Sequence, residues 1–349
     1  MKKLLFCLLI AAVFFSCSED QIINDATDGG KTETKSVLRE RQKYYTLAYK
    51  ISNTYGKLAP GAIASDGNLL TIANINPNLY GIDIYSLENG TPLPSIREWS
   101  HKDSIIRPQH VPTALCIHNN RIYLGIADEG KVYVFDTQSF HFITTIGNGN
   151  IQVDKPSDDK FAVGAPCTIV GDGDKLLIRS RKHIRIYDTA DITPENYEAV
   201  PYYAAEEEEY PIQPTTLINQ GYVGYANYIY LTDADQKQVL AIKPLASIPA
   251  GDAVAIVEDA KSFSSAPSGA AISEDRAYLS FGTEKTIKEY TKSGFRFYQD
   301  VVVKDNVLPE VKSIVTERVE NQPVLLIATP TEVWMVWVAP FERMVKEAE

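Results

Sequence analysis

The chain has 349 residues, with 34 basic and 45 acidic side chains and a formal net charge of −11 at pH 7. That balance excludes nucleic acid as the partner, because binding to phosphates needs a basic footprint. It keeps an exposed protein soluble and specifies no other partner.

The first predicted element is a secretory signal. Lys2 and Lys3 give a positive start, and Leu4 to Phe15 run apolar without a charge. A stretch of about a dozen residues suits a signal core and is too short to span a bilayer, which takes ~20. Ser16 then precedes Cys17. This arrangement resembles the lipobox of bacterial lipoproteins, with Phe14 standing where that family usually has Leu. The resemblance implies a lipid on Cys17, which becomes the mature N-terminus; the alternative is an ordinary cleaved signal peptide. Ser18-Glu19-Asp20 is similar to the acidic export tag of surface lipoproteins in the Bacteroidetes, and Ser18 is not the Asp that retains lipoproteins in the inner membrane. The expected address is therefore the outer membrane, lipid-anchored and exposed at the cell surface. Losing Lys2 and Lys3 with residues 1–16 leaves 32 basic against 45 acidic residues, a net charge of −13. Residues 17–43 carry few large apolar side chains and cannot bury enough surface to offset ordering entropy, so they read as a lipidated flexible tether.

From Tyr44 onward the pattern changes to alternating apolar and polar residues, and about 300 residues are enough for one domain, 44–349, with a large core. Five prolines open similar blocks: Pro60, Pro112, Pro166, Pro214 and Pro267, at spacings of 52, 54, 48 and 53 residues. A sixth block, without the proline, starts near Val311. Each block begins with a short apolar strand such as Thr113 to Ile117 or Ser268 to Ile272. A polar turn follows, such as Asp66-Gly67, His118-Asn119-Asn120 or Asp172-Gly173-Asp174, whose residues tolerate left-handed backbone. The second strand is the most regular, as in Leu69 to Ile72, Ile122 to Leu124 and Leu325 to Ile327. The third alternates with period two, as in Ile82 to Tyr85, Val132 to Phe135 and Ile184 to Tyr187. A more polar fourth strand closes most blocks, as in His141 to Ile146 and Phe295 to Tyr298.

Short strands at this spacing predict an all-β fold, and four per repeat of ~40–50 residues is the requirement of a propeller blade. Phe341 to Glu349 does not read as a fourth strand for the last block. Tyr45 to Ser52 has no hairpin partner of its own. Docking it as the outer strand of the sixth block gives four strands everywhere and covers strand edges that would otherwise invite aggregation. The expectation is thus a six-bladed β-propeller of four-stranded blades, closed by an N-terminal strand; seven blades need a repeat that is not there. The pattern resembles the six-bladed NHL and TolB-like propellers over residues 44–340. That likeness is architectural and carries no catalytic signature.

In such a fold the turns between second and third strands share a face with the residues leading into the first strands, around the channel mouth where ligands bind. The turns supply Asn76, Asn78, Asp128, Glu129, Arg181, Lys182, His183, Asp233, Asp235, Lys237, Glu284, Lys285 and Glu332, and the leading residues supply His110, Gln213 and Glu310. Arg179 to Arg185 packs five basic or near-basic side chains into one turn of an acidic protein. The planar guanidinium fork matches carboxylate or phosphate, so an anionic glycan or carboxylate is one ligand reading, and neutralisation by neighbouring acids is the other. Asp172 with Asp174 and Asp233 with Asp235 lack the distal Glu of a calcium loop and read as turn chemistry. His101, His110, His118, His141 and His183 contain no close pair with zinc spacing. Glu206 to Glu209 reads as an exposed acidic loop. Of the four cysteines, Cys7 leaves with the signal and Cys17 takes lipid. Cys116 and Cys167 sit at different registers of neighbouring repeats and are expected as buried free thiols, though a disulfide is possible in an oxidising compartment.

No nucleophile elbow, phosphate loop or Cys–His signature is present. The function expected is a non-catalytic binding module of the cell envelope, with a protein or glycan ligand at the propeller face, a membrane contact through the lipid, no cofactor and a monomeric state. An enzyme acting on glycans or lactone-like substrates and a purely structural envelope component are the alternatives, since fold alone decides neither.

Overall fold

The computed structural model describes residues 45–338, apart from 53–55, 154–156, 181–182, 195–202, 207–220, 224–227, 234–235, 251–256, 274–275, 283 and 292–294. Among the described residues, short 3₁₀ turns aside, every regular element is a β-strand. β1 (Thr46–Ser52) comes first and pairs with nothing adjacent in sequence. The first sheet holds β2 (Pro60–Ser65), β3 (Leu69–Asn74) and β4 (Gly81–Ser86), followed by a small hairpin of β5 (Trp99–His101) and β6 (Ser104–Ile106). The second sheet holds β7 (Ala114–His118), β8 (Arg121–Ile126), β9 (Lys131–Asp136) and β10 (Phe142–Ile146). The third holds β11 (Thr168–Asp172), β12 (Lys175–Arg179), β13 (His183–Asp188) and β14 (Tyr203–Glu206). The fourth holds β15 (Gly221–Val223), β16 (Ile229–Asp233), β17 (Gln238–Ile242) and β18 (Val257–Ser262). The fifth holds β19 (Gly269–Ile272), β20 (Arg276–Phe281), β21 (Thr286–Thr291) and β22 (Phe297–Asp300). β23 (Ser313–Val319), β24 (Gln322–Ala328) and β25 (Glu332–Trp337) form the sixth sheet with β1 as its outermost strand, in antiparallel register from Thr46 opposite Trp337 to Ser52 opposite Glu332.

The burial of these strands explains their composition. β3 and β8 are buried on both faces after their first residue, which is why they read as continuous apolar runs rather than alternating ones. Thr71 sits inside such a run and spends its hydroxyl on Ala64 O at 3.1 Å. The outer strands β1 and β22 are largely exposed. Six apolar clusters form the core among the described residues, and each mixes side chains of two consecutive sheets. One joins the last sheet to the first, with Leu326, Val333 and Met335 against Ile63, Leu70 and Ile72. Fully burying each such side chain contributes about 1.5–3 kcal/mol. The leading strands pack in the same order, β2 on β7, β7 on β11, β11 on β15, β15 on β19 and β19 on β23, with β23 again on β2.

The first sheet departs from the expected four strands. Residues 91–97 run beside β4 but meet it only at two isolated bridges, Tyr85 with Pro92 and Ile82 with Ile96. Pro92 and Pro94 have no N–H to give a ladder, so a fourth strand cannot form there. The strip is held instead by Leu93 N to Ile84 O at 2.8 Å and by the mutual bonds of Ile82 and Ile96 at 2.9 Å. Gly81 permits that approach: its φ is +140°, and a Cβ there would lie 2.1 Å from Ile96 O.

A second unforeseen feature fixes the beginning of β1. The Tyr45 hydroxyl donates to the carboxylate of Glu289 on β21, which also accepts from Arg276 Nη1 at 2.6 Å and Gln299 Nε2 at 2.9 Å. The backbone joins in through Tyr45 N to Val302 O at 2.8 Å and Lys304 N to Tyr45 O at 2.9 Å. β1 therefore belongs to the sixth sheet while the residue just before it is tied to the fifth.

Candidate functional site

Four of the predicted ligand-face residues lie outside the described residues: Arg181, Lys182, Gln213 and Asp235, as does the lipidation site Cys17. Glu207 to Glu209 of the acidic run lie outside them too. The rest are placed in small local groups. His110 and Glu129 come together on the second sheet, with Nδ1 3.6 Å from Oε1; the histidine side chain is 49% exposed and the carboxylate 13%. Glu129 also accepts from Gln109 N at 2.9 Å and from the Tyr133 hydroxyl at 2.6 Å. Burial first, and then this bond and the charge of Glu129, hold the Tyr133 hydroxyl above the usual tyrosine range. Asp128 is exposed in the 3₁₀ turn beside it. Glu310 pairs with Lys312 at 2.6 Å, Glu284 with Lys288 at 3.0 Å, and Glu332 accepts from Trp334 Nε1 at 2.7 Å. Lys237 and Lys285 are exposed turn residues with left-handed φ of 52° and 55°.

The described members of the basic stretch are interior and lie on strands rather than in a turn: Arg179 ends β12, and His183 and Arg185 belong to β13. Arg179, His183 and Arg185 are buried, as is Asp233. Arg179 Nη1 donates to Thr232 O at 3.1 Å, across to the fourth sheet. Arg185 donates to the carbonyls of Lys160 and Asp159 at 3.1 and 2.9 Å. The described members of the acidic pairs are engaged locally. Asp172 accepts from Leu245 N at 3.1 Å, Asp174 lies 3.4 Å from Lys175, and Asp233 caps its own turn through Gln236 N at 3.1 Å. Among the described residues, no three or more His, Cys, Asp or Glu side chains form a group that could hold a metal ion. Cys116 and Cys167 are free thiols.

A concave feature among the described residues lies elsewhere, between β1 of the sixth sheet and the strip that follows β4. It is a cavity of about 550 Å³, within the range that holds small ligands. Lys50, Ile51 and Ser52 of β1 make one wall, and Asp83, Tyr85, Pro92, Ser95 and Arg97 make the opposite one. Lys57 and Leu58, leading into β2, contribute as well. Asp83 is held by three donors: the Arg97 guanidinium, Ser95 Oγ at 2.8 Å and Asn74 Nδ2 at 2.7 Å. Asn74 is itself buried and ties the turn to Lys57 O at 2.9 Å. Lys50 lies over the Trp334 ring at 3.9 Å, donates to Asn306 Oδ1 at 3.1 Å and stands 4.0 Å from Glu332. Burial raises the Tyr85 hydroxyl above its ordinary value, with Asp83 adding to the rise and Arg97 opposing it.

None of Lys57, Asp83, Ser95 or Arg97 stood out in the sequence. One signal was present: Asp83 interrupts the apolar run Gly81-Ile82-Asp83-Ile84, and a carboxylate inside a buried strand requires donors from elsewhere.

No family model and no curated protein matches the chain. Among solved structures, the β-propeller domain of Cps50 (Swd1) from Myceliophteria thermophila is similar at a TM-score of 0.52 and 10% identity, covering 84% of this chain and 100% of that one. At that identity the likeness speaks to the fold alone, and the fold is a β-propeller.

Proposed function

We propose that this chain is an envelope lipoprotein whose propeller serves as a non-catalytic binding module. In this reading residues 1–16 are the signal, Cys17 carries the lipid at the outer membrane, and 17–43 are the tether. The propeller has six blades, and β1 closes the ring as the outer strand of the sixth. The cyclic order of leading strands and the shared core of last and first sheets support that closure. The observation that carries the binding reading is the cavity beside β1, a preformed concavity with polar and cationic side chains over an apolar floor. The test is a screen of the full-length chain against glycans and metabolites, with and without calcium. A ligand bound reversibly and recovered unchanged is the expected result, and turnover of that ligand overturns the reading. The anchor is tested separately, since Cys17→Ala is expected to move the protein out of the membrane fraction.

One observation favours an enzyme instead. His110 is a solvent-accessible imidazole whose Nδ1 stands 3.6 Å from the Glu129 carboxylate, just beyond hydrogen-bond distance, and closing that gap around a glycan or lactone gives a general-base pair. Hydrolysis that disappears in His110→Ala supports that alternative.

A further inference from the structure

Exposed apolar side chains gather on one stretch of the chain. Among the described residues, large apolar side chains stand exposed at seven positions, and four of them, Phe297, Tyr298, Val302 and Val307, fall on β22 and the segment after it. Val307 is the extreme, at 90% exposed. The turn that presents it is firmly held. Asn306 N donates to Val303 O at 3.1 Å and closes a turn over 303–306, which Val302 and Val307 flank. Asn306 Nδ2 donates to Lys304 O at 2.8 Å, and Lys50 Nζ of β1 donates to Asn306 Oδ1 at 3.1 Å. Val301, Val303 and Val311 are buried in one cluster, and Leu308 packs against it. The segment is thus pinned to the core while two of its valines are held in solvent. Apolar surface presented in this way marks an interaction site.

The place of the turn in the fold selects the partner. Tyr45 N donates to Val302 O at 2.8 Å and Lys304 N to Tyr45 O at 2.9 Å, so the turn brackets the point where the chain from Cys17 enters the propeller. In the lipoprotein reading, residues 17–43 join that point to the lipid. A flexible chain of about 27 residues spans ~30 Å r.m.s., and a domain of about 300 residues has a radius of gyration of ~19 Å. The surface around Tyr45 is therefore kept close to the bilayer at high effective concentration, and the far side of the domain is not. The charge of the segment fits the same partner. The chain as a whole carries −11, which an anionic leaflet repels, yet positions 296–312 hold Arg296, Lys304 and Lys312 against Asp300, Asp305 and Glu310, a net charge of zero. Resting on the lipoprotein reading above, we propose that the turn 303–306 with Val302 and Val307 docks on the bilayer that holds the Cys17 lipid. The two valines enter the boundary between headgroups and acyl chains, and Lys304 lies among the headgroups, the arrangement of interfacial binding. The lipid keeps the propeller at the membrane, and this turn sets which side faces it.

The experiment expresses the full-length chain, reconstitutes it in vesicles of phosphatidylethanolamine and phosphatidylglycerol, and reads a fluorophore on a single introduced thiol. The label sits at Val307→Cys or, as the control, at Ile105→Cys, an exposed apolar position away from the turn. Unsubstituted chain sets the background labelling of Cys116 and Cys167. Lipids carrying a nitroxide at the top of the acyl chain are expected to quench the label at 307 and leave the label at 105 unquenched. Adding Lys304→Glu to Val307→Cys is expected to leave the thermal midpoint unchanged and to lower the docked-to-undocked ratio by roughly tenfold or more, since it replaces an attracted charge by a repelled one. Quenching recovers when the same variant is placed in phosphatidylcholine alone. Quenching at 307 no greater than at 105, or unchanged by Lys304→Glu, overturns the proposal while the chain still floats with the vesicles and the lipoprotein reading stands. Shielding of the 307 label that follows protein density rather than the nitroxide lipid marks a second copy as the occupant and also overturns it. A chain that does not float with the vesicles ends both the docking and the lipoprotein reading.

Discussion

Individual residues show where side-chain chemistry was legible and where it was not. Asn119 and Asn120 form the two-residue turn between β7 and β8 at φ of 49° and 58°, the left-handed backbone that made them readable as a turn. Arg179 and Arg185 were unreadable for the opposite reason. A cluster of charged side chains normally marks a solvated turn, yet these two lie on β12 and β13, buried and satisfied in part by main-chain carbonyls, acceptors that no side-chain pattern records. Tyr45 was expected only as the start of a strand, and its bond to Glu289 crosses 244 positions. That bond has a pH signature. Burial, reinforced by the neighbouring Tyr278 and Glu289, holds the Tyr45 hydroxyl above the ordinary value of 10.0. The folded chain thus keeps a proton that the unfolded chain loses near pH 10. Its contribution is complete below that pH and is lost as the pH rises past it. Urea unfolding from pH 8 to 11 is expected to show declining stability in the wild type. Tyr45→Phe should cost about 1–2 kcal/mol at pH 8 and decline less steeply. Tyr49 and Tyr123, both pushed up to about 12 by burial, keep part of the slope in the variant. Parallel slopes contradict the assignment.

Elements were easiest to read where burial is two-sided. The middle strands β3, β8, β12 and β24 stand where the apolar runs placed them, because a strand buried on both faces has no polar alternation to obscure it. The strip 91–97 was harder, since a chain that follows a strand without a ladder has no period. Pro92 and Pro94 turn a would-be fourth strand into a loosely bonded wall, and that wall carries Ser95 and Arg97 into the cavity. The candidate site was therefore hidden by the same prolines that create it. Gly81 is the hinge of this arrangement, so Gly81→Ala drives a methyl into Ile96 O and forces the strip away. Chemical denaturation is expected to show a loss of about 2 kcal/mol or more, the range for a strained backbone together with broken bonds. A change below about 0.5 kcal/mol would mean that the strip does not depend on this approach.

At the scale of the whole molecule, the repeat of about fifty residues was visible as spaced prolines and recurring strand pairs, and the all-β propeller fold follows from it. The docking partner of residues 45–52 was inferred from an unfilled edge, and β1 does pair along β25. What no repeat could show is how the two ends are fastened: a shared apolar cluster, the Tyr45 bond into the fifth sheet and the cavity walls all meet around β1. In the proposed closure β1 holds the ring together and residues 18–43 contribute nothing to it. Thermal unfolding of two deletion variants, one lacking 44–53 and one lacking 18–43, tests it directly. The first variant is expected to lose on the order of 10 °C or more, as removing a strand and its cluster contacts costs several kcal/mol, and the second to keep its midpoint unchanged. Equal midpoints for the two variants would contradict it.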